Sequence, residues 1–137
     1  MHARASWLWL VFCVGWAVSA HAAIAQDEQR FVLAPDEASA LFETGLTVTF
    51  ESVIEDSRCP VGVSCIWEGD AVVRIRIDGA GVKAGIYMLH THGSTKGEIL
   101  HGDVRIRLIE LTPLPTADGP PRAREYRATL AARREKR

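Results

Sequence analysis

Regular alternation of apolar and polar residues is the feature that most constrains how this chain can fold. Between residues 46 and 54, Leu46, Val48, Phe50, Ser52 and Ile54 fall on one face, and their neighbours fall on the other. Residues 71–78 and 104–111 repeat the same period of two. Because successive side chains of a β-strand point to opposite faces, the pattern predicts half-buried strands.

Further strand candidates lie at residues 30–34, 86–92, 98–101 and 126–131. Residues 35–42 are compatible with one helical turn or a loop, since proline is permitted in a first turn. Within residues 104–111 the alternation shifts, which indicates a bulge or burial on both faces. Short strands without a convincing amphipathic helix predict an all-β fold. We expect a small antiparallel β-sandwich of immunoglobulin-like size, with a small β-barrel as the alternative.

Residues 1–25 are predicted to be a signal peptide and not part of the fold. A short start with one positive charge, Arg4, precedes an apolar stretch from Ser6 to about Ala20. That stretch is short for a membrane span, which needs ~20 apolar residues. The A-x-A pattern at residues 23–25 then predicts a mature chain that begins at Gln26. The alternatives are cleavage after Ala20 or Ala22 and an uncleaved leader that holds the chain at a membrane.

Length and charge exclude several classes of protein. A chain of 137 residues has room for one domain, so we expect a single β domain at residues 26–132 and a charged tail at 133–137. The 16 basic and 17 acidic residues give a net charge of −1, which argues against nucleic-acid binding. The chain lacks the G-x-S-x-G, H-E-x-x-H and P-loop motifs, and we therefore do not expect an enzyme.

Cys59 and Cys65 are the cysteines that remain once the leader is removed. In an exported chain, two cysteines most simply form a disulfide. The bridge would close a short loop, C-P-V-G-V-S-C, and the chain-entropy model gives such a loop roughly 2 kcal/mol of stability. A redox role would favour C-x-x-C spacing, and a structural zinc site would need two more ligands.

Residues 55–71 around this loop form the most distinctive stretch of the sequence. The aspartate is expected to cap the loop or to pair with the following arginine. Proline and glycine are typical turn residues, and a second glycine permits a turn before the next strand. The tryptophan is expected to pack against the cystine and to cover one end of the core. These expected scaffold residues are Asp56, Arg58, Pro60, Gly62, Trp67 and Gly69.

This stretch resembles a segment of the type E-D-S-R-C-P-x-G-x-x-C-x-W-x-G, found in a group of small exported bacterial proteins and lipoproteins. The pattern is complete over residues 55–69 and extends weakly to residues 89–91 and 111–113. We know of no established activity for that group. The resemblance therefore implies export, the disulfide and a small β domain, and it assigns no catalytic residue.

Met88, His90 and His92 occur at every second position, so on a strand they would share a face. Thioether and imidazole ligands suit copper, which an exported protein meets in the periplasm. His101 could add a fourth ligand across a hairpin closed by residues 93–97. The competing interpretation is that Met88 belongs to the core and that the histidines are ordinary polar residues near a strand end.

Two alternating arginine pairs could form an anion-binding face. If their strands lay side by side, the arginines would make one ladder that binds the carboxylate, sulfate or phosphate groups of an anionic glycan or of another exported protein. Arg127 could join them. The alternative is a solvated face in which nearby glutamates neutralise the arginines. The arginines concerned are Arg74, Arg76, Arg105 and Arg107.

Two further hypotheses concern the disulfide loop. Glu55, Asp56, Glu68 and Asp70 flank it and could bind Ca²⁺, although their spacing matches no EF-hand. A rigid loop from Cys59 to Cys65 could also block the active site of a protease. The alternative in both cases is that the loop and its carboxylates only stabilise a strand connection.

Together these patterns predict an exported domain, periplasmic or secreted, that acts as a non-catalytic binding module. The arginine face is the first candidate for its binding surface. Copper binding through Met88, His90 and His92 is the alternative, followed by protease inhibition through the Cys59–Cys65 loop.

Overall fold

The computed structural model describes residues 28–79, 81–92 and 97–135. The predicted leader, its cleavage site and the last two residues of the predicted tail lie outside these ranges. No helix within the described ranges is long and apolar enough to cross a membrane. The strands are β1 (Glu28–Leu33), β2 (Ala38–Leu41), β3 (Leu46–Asp56), β4 (Ala71–Gly79), β5 (Gly85–His90), β6 (Glu98–His101), β7 (Val104–Thr112) and β8 (Arg127–Arg134).

Two four-stranded antiparallel sheets pack face to face, which confirms the predicted β-sandwich. One sheet has the strand order β1-β8-β7-β6, and the other has the order β2-β3-β4-β5. β1 lies beside β2, and β5 lies beside β6, so the strands follow one another around the sandwich in chain order. The connectivity is that of an up-and-down barrel flattened into two sheets. At one edge the Gln29 side chain joins the sheets, donating to the Ala40 carbonyl and accepting from the Phe42 N–H.

The core lies between the sheets and is formed by the alternate residues that the sequence pattern predicts. In β4, Ala71, Val73, Ile75 and Ile77 are fully buried, while the intervening residues are half-buried on the outer face. β7 and β8 contribute the facing layer. Its members include Val104, Ile106, Leu111, Ala128, Leu130 and Ala132.

β3 departs from its predicted alternation at two bulges. The register against β4 shifts between Phe50 and Ser52 and again between Val53 and Glu55. Each bulge inserts one extra residue, so the inward positions become Phe50, Val53 and Asp56. Ser52 and Ile54 therefore leave the core face, and 54% of Ile54 is exposed. A bulge between Leu108 and Glu110 of β7 confirms the irregularity predicted there.

The segment predicted as a helical turn or a loop forms β2 instead. Its residues pair with β3 from Ala38 opposite Thr49 to Leu41 opposite Leu46. Pairing with a neighbouring strand overrides the local helical preference of alanine and leucine. At the other end of the chain, β8 runs through Arg133 and Arg134, so these two residues of the predicted tail belong to the sheet.

Candidate functional site

One end of the sandwich carries the connections β1–β2, β3–β4, β5–β6 and β7–β8. The β3–β4 connection, residues 57–70, contains the disulfide, and its first and last residues continue the strand pairing. The Ser57 N–H donates to the Asp70 carbonyl at 2.7 Å, and the Cys59 N–H donates to the Glu68 carbonyl at 3.0 Å. The predicted Cys59–Cys65 bridge is present, with a Cα–Cα distance of 5.9 Å.

Asp56 and Arg58 anchor the base of this loop inside the protein. Only 2% of the Asp56 side chain and 9% of the Arg58 side chain are exposed. The guanidinium donates to the Asp56 carboxylate from Nε at 2.8 Å and from Nη2 at 2.7 Å. It also donates to the carbonyls of Leu111 and Pro113 at the end of β7. The predicted pairing of Asp56 with Arg58 is therefore confirmed, and it ties two connections together.

Tyr126 completes this buried polar cluster. Its hydroxyl donates to Oδ2 of Asp56 at 2.9 Å. Burial acts to raise the pKa of Asp56, but the hydrogen bonds from Arg58 and Tyr126 outweigh it and hold that pKa below its ordinary value. Burial, together with the adjacent Asp56 carboxylate, raises the pKa of Tyr126 to about 12. The cluster is thus fully hydrogen-bonded and is a structural anchor.

The loop itself turns at the predicted residues. The Val63 N–H donates to the Pro60 carbonyl at 3.2 Å, and Gly62 between them has a φ of 77°, a value that favours glycine. Gly69 has a φ of 71°, and a Cβ at this position would overlap the backbone carbonyl of Ser57. The Val61 N–H donates to the Pro115 carbonyl at 2.9 Å, which fixes the loop to the β7–β8 connection.

Trp67 does not pack against the cystine or cover the core, which corrects the expectation from sequence. The tryptophan is 83% exposed, and its neighbour Ile66 is 94% exposed. Val61 and Val63, on the disulfide loop, are also exposed. The reason is that Leu111, Tyr126 and the Arg58 stem already close this end of the core. We call Val61, Val63, Ile66 and Trp67 the cystine-loop surface.

The residues proposed to bind copper are only partly brought together. Met88 and His90 lie on the outer face of β5, opposite Arg74 and Val72 of β4. His101 instead is buried between the sheets, and its Nδ1 is hydrogen-bonded to the Tyr87 hydroxyl at 2.7 Å. Tyr87 and Met88 are adjacent in a strand and point to opposite faces, so His101 cannot join the other three residues.

The other two histidines, His90 and His92, each interact with a carboxylate. His90 Nδ1 lies 2.6 Å from Asp70, and His92 Nδ1 lies 2.9 Å from Glu68. Burial acts to raise the pKa of Asp70, but hydrogen bonds from His90, Thr91 and the His92 N–H lower it overall. Within the described ranges, no group of three or more histidine, cysteine, aspartate or glutamate residues could hold a metal ion.

The four carboxylates considered for Ca²⁺ are engaged separately. Asp56 is held by Arg58 and Tyr126 inside the protein, whereas Asp70 binds the end of β5. Glu68 lies beside His92, and Glu55 is exposed. The structure therefore gathers no calcium site from Glu55, Asp56, Glu68 and Asp70.

The two arginine pairs do not form one ladder, because β4 and β7 belong to different sheets. Arg74 and Arg76 lie on the outer face of one sheet and flank Glu51 at 2.8 and 3.3 Å. Arg105 lies on the opposite outer face, with Glu98 and Glu135 each at 2.6 Å. Arg107 lies 3.9 Å from Glu28. Each arginine pair lies beside carboxylates, which agrees with the alternative of a solvated face in which glutamates neutralise the arginines.

The fold and this end of the molecule define a class of protein: an antiparallel β-sandwich with a disulfide in one connecting loop and exposed apolar residues on that loop. Comparison with protein family models, curated proteins and solved structures found no match.

Proposed function

We propose that this chain is an exported, non-catalytic domain that binds another exported protein through the cystine-loop surface. The observation that carries the proposal is the exposure of Ile66 and Trp67 on a loop whose base is buried and hydrogen-bonded. Tryptophan dominates many protein interfaces because it contributes a large apolar area together with one N–H donor.

Rigidity of the loop supports this proposal. The disulfide, the Arg58 anchor and the Val61–Pro115 hydrogen bond restrict the loop before any partner arrives. A surface that is already ordered loses less conformational entropy on binding, so more of the contact energy appears as affinity. Glu68 follows Trp67 in sequence, is exposed and lies 2.9 Å from His92, so polar side chains adjoin the tryptophan. An apolar centre with a polar rim is the usual anatomy of a protein interface.

Export is supported by the predicted leader and by the cysteine chemistry. A disulfide persists in the periplasm or outside the cell, where thiols are oxidised. Cys59 and Cys65, the cysteines that remain once the predicted leader is removed, are bonded to each other and so offer no nucleophilic thiol. We expect the mass of the purified protein to correspond to a chain that begins at Gln26. A mass that retains the leader would favour membrane anchoring over release.

An anionic glycan is the less supported partner. The arginines proposed for it face two opposite directions and lie beside glutamates. Exposed ion pairs of this kind are worth little individually, and their carboxylates repel an incoming anion. Another exported protein that presents an apolar pocket is therefore the partner we propose.

Photocrosslinking in the producing organism tests the proposal. A photoreactive amino acid replaces Ile66 in one variant and Ile86 in a control variant, since Ile86 is exposed on the outer face of β5. We expect the probe at position 66 to give one discrete protein adduct that the probe at position 86 does not give. Adding Trp67→Ser should lower the adduct yield at least fivefold.

Two results would overturn the proposal. Equal labelling from positions 66 and 86 would mean that the cystine-loop surface is not selective. Adducts with lipid alone would mean that the exposed apolar residues contact a membrane instead of a protein.

Protease inhibition through the Cys59–Cys65 loop is a second candidate, favoured by the exposure of residues 61–65. Assays against serine, cysteine and metalloproteases test it with the oxidised domain. Inhibition that is lost in a Val61→Asp, Val63→Asp variant would support it. No inhibition at micromolar concentration would end it.

A further inference from the structure

The edge of β3 that faces β2 is open over the last residues of the strand, at the end of the sandwich that carries the cystine loop. The residues that line this edge are different from those of the cystine-loop surface. β3 is 11 residues long, whereas its neighbour β2 has four residues. The β2–β3 ladder begins at Ala38 opposite Thr49. One residue further along, Phe50 exchanges hydrogen bonds with Asp36 and Glu37. Beyond Phe50 the chain before β2 departs towards β1, while β3 continues to Asp56.

A groove of about 710 Å³ follows this open edge. One wall consists of residues 51–56 of β3, and the other consists of Pro120, Pro121, Ala123, Arg124 and Tyr126. Ala34, Pro35 and Asp36 also line the groove. Six residues of an extended strand span about 20 Å, so the groove is as long as a short peptide segment.

The open edge can pair with a further strand. Backbone N–H and C=O groups at a sheet edge form a template for an added strand, which is how several peptide-binding domains recognise extended ligands. Within the described ranges, Ser52, Val53 and Glu55 pair with β4 on the other side of β3, and no turn or loop backbone hydrogen bond reaches residues 51–55. Ile54, half exposed, and Pro120 and Pro121 add apolar surface for the side chains of a ligand.

Charge favours a basic ligand. Asp36 and Glu55 are exposed and border the groove on the β3 side, and Arg124 is the basic residue that lines it opposite them. Within the described ranges no cation forms an ion pair with Asp36 or Glu55. Lysine or arginine at alternate positions of an added strand would meet these carboxylates.

A second copy of this chain fits the edge less well. Antiparallel pairing of two β3 edges centred on Val53 would place Glu51 of one copy opposite Glu55 of the other. Like charges directly opposite each other destabilise a strand pair. The two bulges also bend β3, which shortens the flat stretch available for edge-to-edge assembly.

We infer that the β3 edge groove binds a short extended peptide segment of another protein, with basic residues alternating with apolar ones, by strand addition. This inference does not depend on the proposed function of the cystine-loop surface, because the two surfaces share no residue. A partner could engage either surface alone or both together.

Amide hydrogen exchange with synthetic peptides tests the inference. The probe is a hexapeptide of alternating valine and lysine at millimolar concentration, and the control peptide alternates valine and glutamate. We expect the valine–lysine peptide to slow exchange of backbone amides within residues 51–55, with little change at the cystine loop. Slowed exchange is specific to strand pairing, since a peptide bound only through side-chain charges would leave these amides unprotected.

Charge reversal supplies matched variants. Glu55→Lys should weaken binding of the valine–lysine peptide at least fivefold and should favour the valine–glutamate peptide. Glu43→Lys makes the same charge change in the β2–β3 turn at the far end of the sandwich and should alter binding less than twofold.

Three outcomes would overturn the inference. The first is unchanged exchange of residues 51–55 with either peptide. The second is equal weakening by Glu55→Lys and Glu43→Lys, which would indicate non-specific attraction. The third is protection of residues 51–55 without any peptide in a protein that sediments as a dimer, which would make a second copy the occupant.

Discussion

At the scale of residues, the buried Asp56, Arg58 and Tyr126 cluster explains how an acidic and a basic side chain persist inside so small a domain. Taking charges out of water is costly unless their hydrogen-bonding groups find partners. Here the guanidinium has the Asp56 carboxylate and two carbonyls, and the carboxylate also accepts from Tyr126. The sequence predicts the local pairing of Asp56 with Arg58. It cannot predict Tyr126, which lies 70 positions away.

Arg58→Met should lower the free energy of unfolding by about 3–5 kcal/mol, because it leaves the Asp56 carboxylate buried without its cation. The matched control is Arg30→Met. Arg30 pairs with Glu28 on the surface, where a pair contributes about 0–1 kcal/mol. Urea unfolding of both variants measures the difference. Equal losses would show that Arg58 is not a buried anchor.

The unfolding free energy should fall at both ends of the pH scale. The pKa of Asp56 is lowered in the folded state, so its contribution is present above the ordinary value of 3.8 and is lost as the pH falls below it. The pKa of Tyr126 is raised to about 12, so the folded state keeps this proton while the unfolded chain loses it above 10.0. Stability should therefore decline as the pH rises from 10.0 to about 12.

Tyr126→Phe separates this residue from the others that titrate in alkali. The variant should be less stable than the parent at neutral pH and should show a shallower decline above pH 10.0, since phenylalanine carries no proton to lose. Unfolding measured across the alkaline range checks this result. Parallel curves for the parent and the variant would rule out a raised pKa at Tyr126.

At the scale of elements, alternation predicts the strands well but not their irregularities. The buried faces of β4 and of the first half of β3 follow the pattern, because the position of the apolar residues along each strand determines which face is buried. The bulges that expose Ile54 depend on the register against β4, which is a relation between two segments. The same limit applies to Trp67. Its size suggests burial, but Leu111 of β7 and Tyr126, just before β8, already fill that end of the core.

Two glycines of the loop give a matched pair of variants. Gly62 and Gly69 both have a positive φ, but a Cβ has open space at Gly62 and would overlap the Ser57 carbonyl at Gly69. Gly62→Ala should lower the free energy of unfolding by about 1 kcal/mol through backbone strain alone. Gly69→Ala should cost clearly more and should loosen the loop. Equal costs, measured by urea unfolding, would contradict the close approach of Gly69 to Ser57.

At the scale of the whole molecule, the sequence predicts the two-layer fold but not which strands share a sheet. Alternation assigns Arg76 and Arg107 to outer faces, and both are there. It does not say whether those faces belong to one sheet, and the connectivity places them on opposite sides. The open edge of β3 likewise cannot be predicted from the sequence, because it arises only where the pairing with the shorter β2 ends.

The same connectivity gathers four connections at one end of the sandwich, among them the long β3–β4 and β7–β8 connections, and leaves three turns at the other. Both proposed binding surfaces belong to that end. Loops held by a rigid scaffold commonly carry the binding surface of a β-sandwich. The disulfide and the Arg58 anchor restrict the β3–β4 connection, which carries the cystine-loop surface.

Fluorescence quenching of Trp67 is the most direct test of the central claim that the cystine-loop surface is open. Trp67 is the sole tryptophan of a chain that begins at Gln26, so the signal has one source. In the folded, oxidised protein at low concentration, acrylamide should quench this tryptophan almost as efficiently as in the chain unfolded by urea. Strong shielding in the folded monomer would contradict the account, because it would mean that Trp67 packs against the protein and offers no surface to a partner.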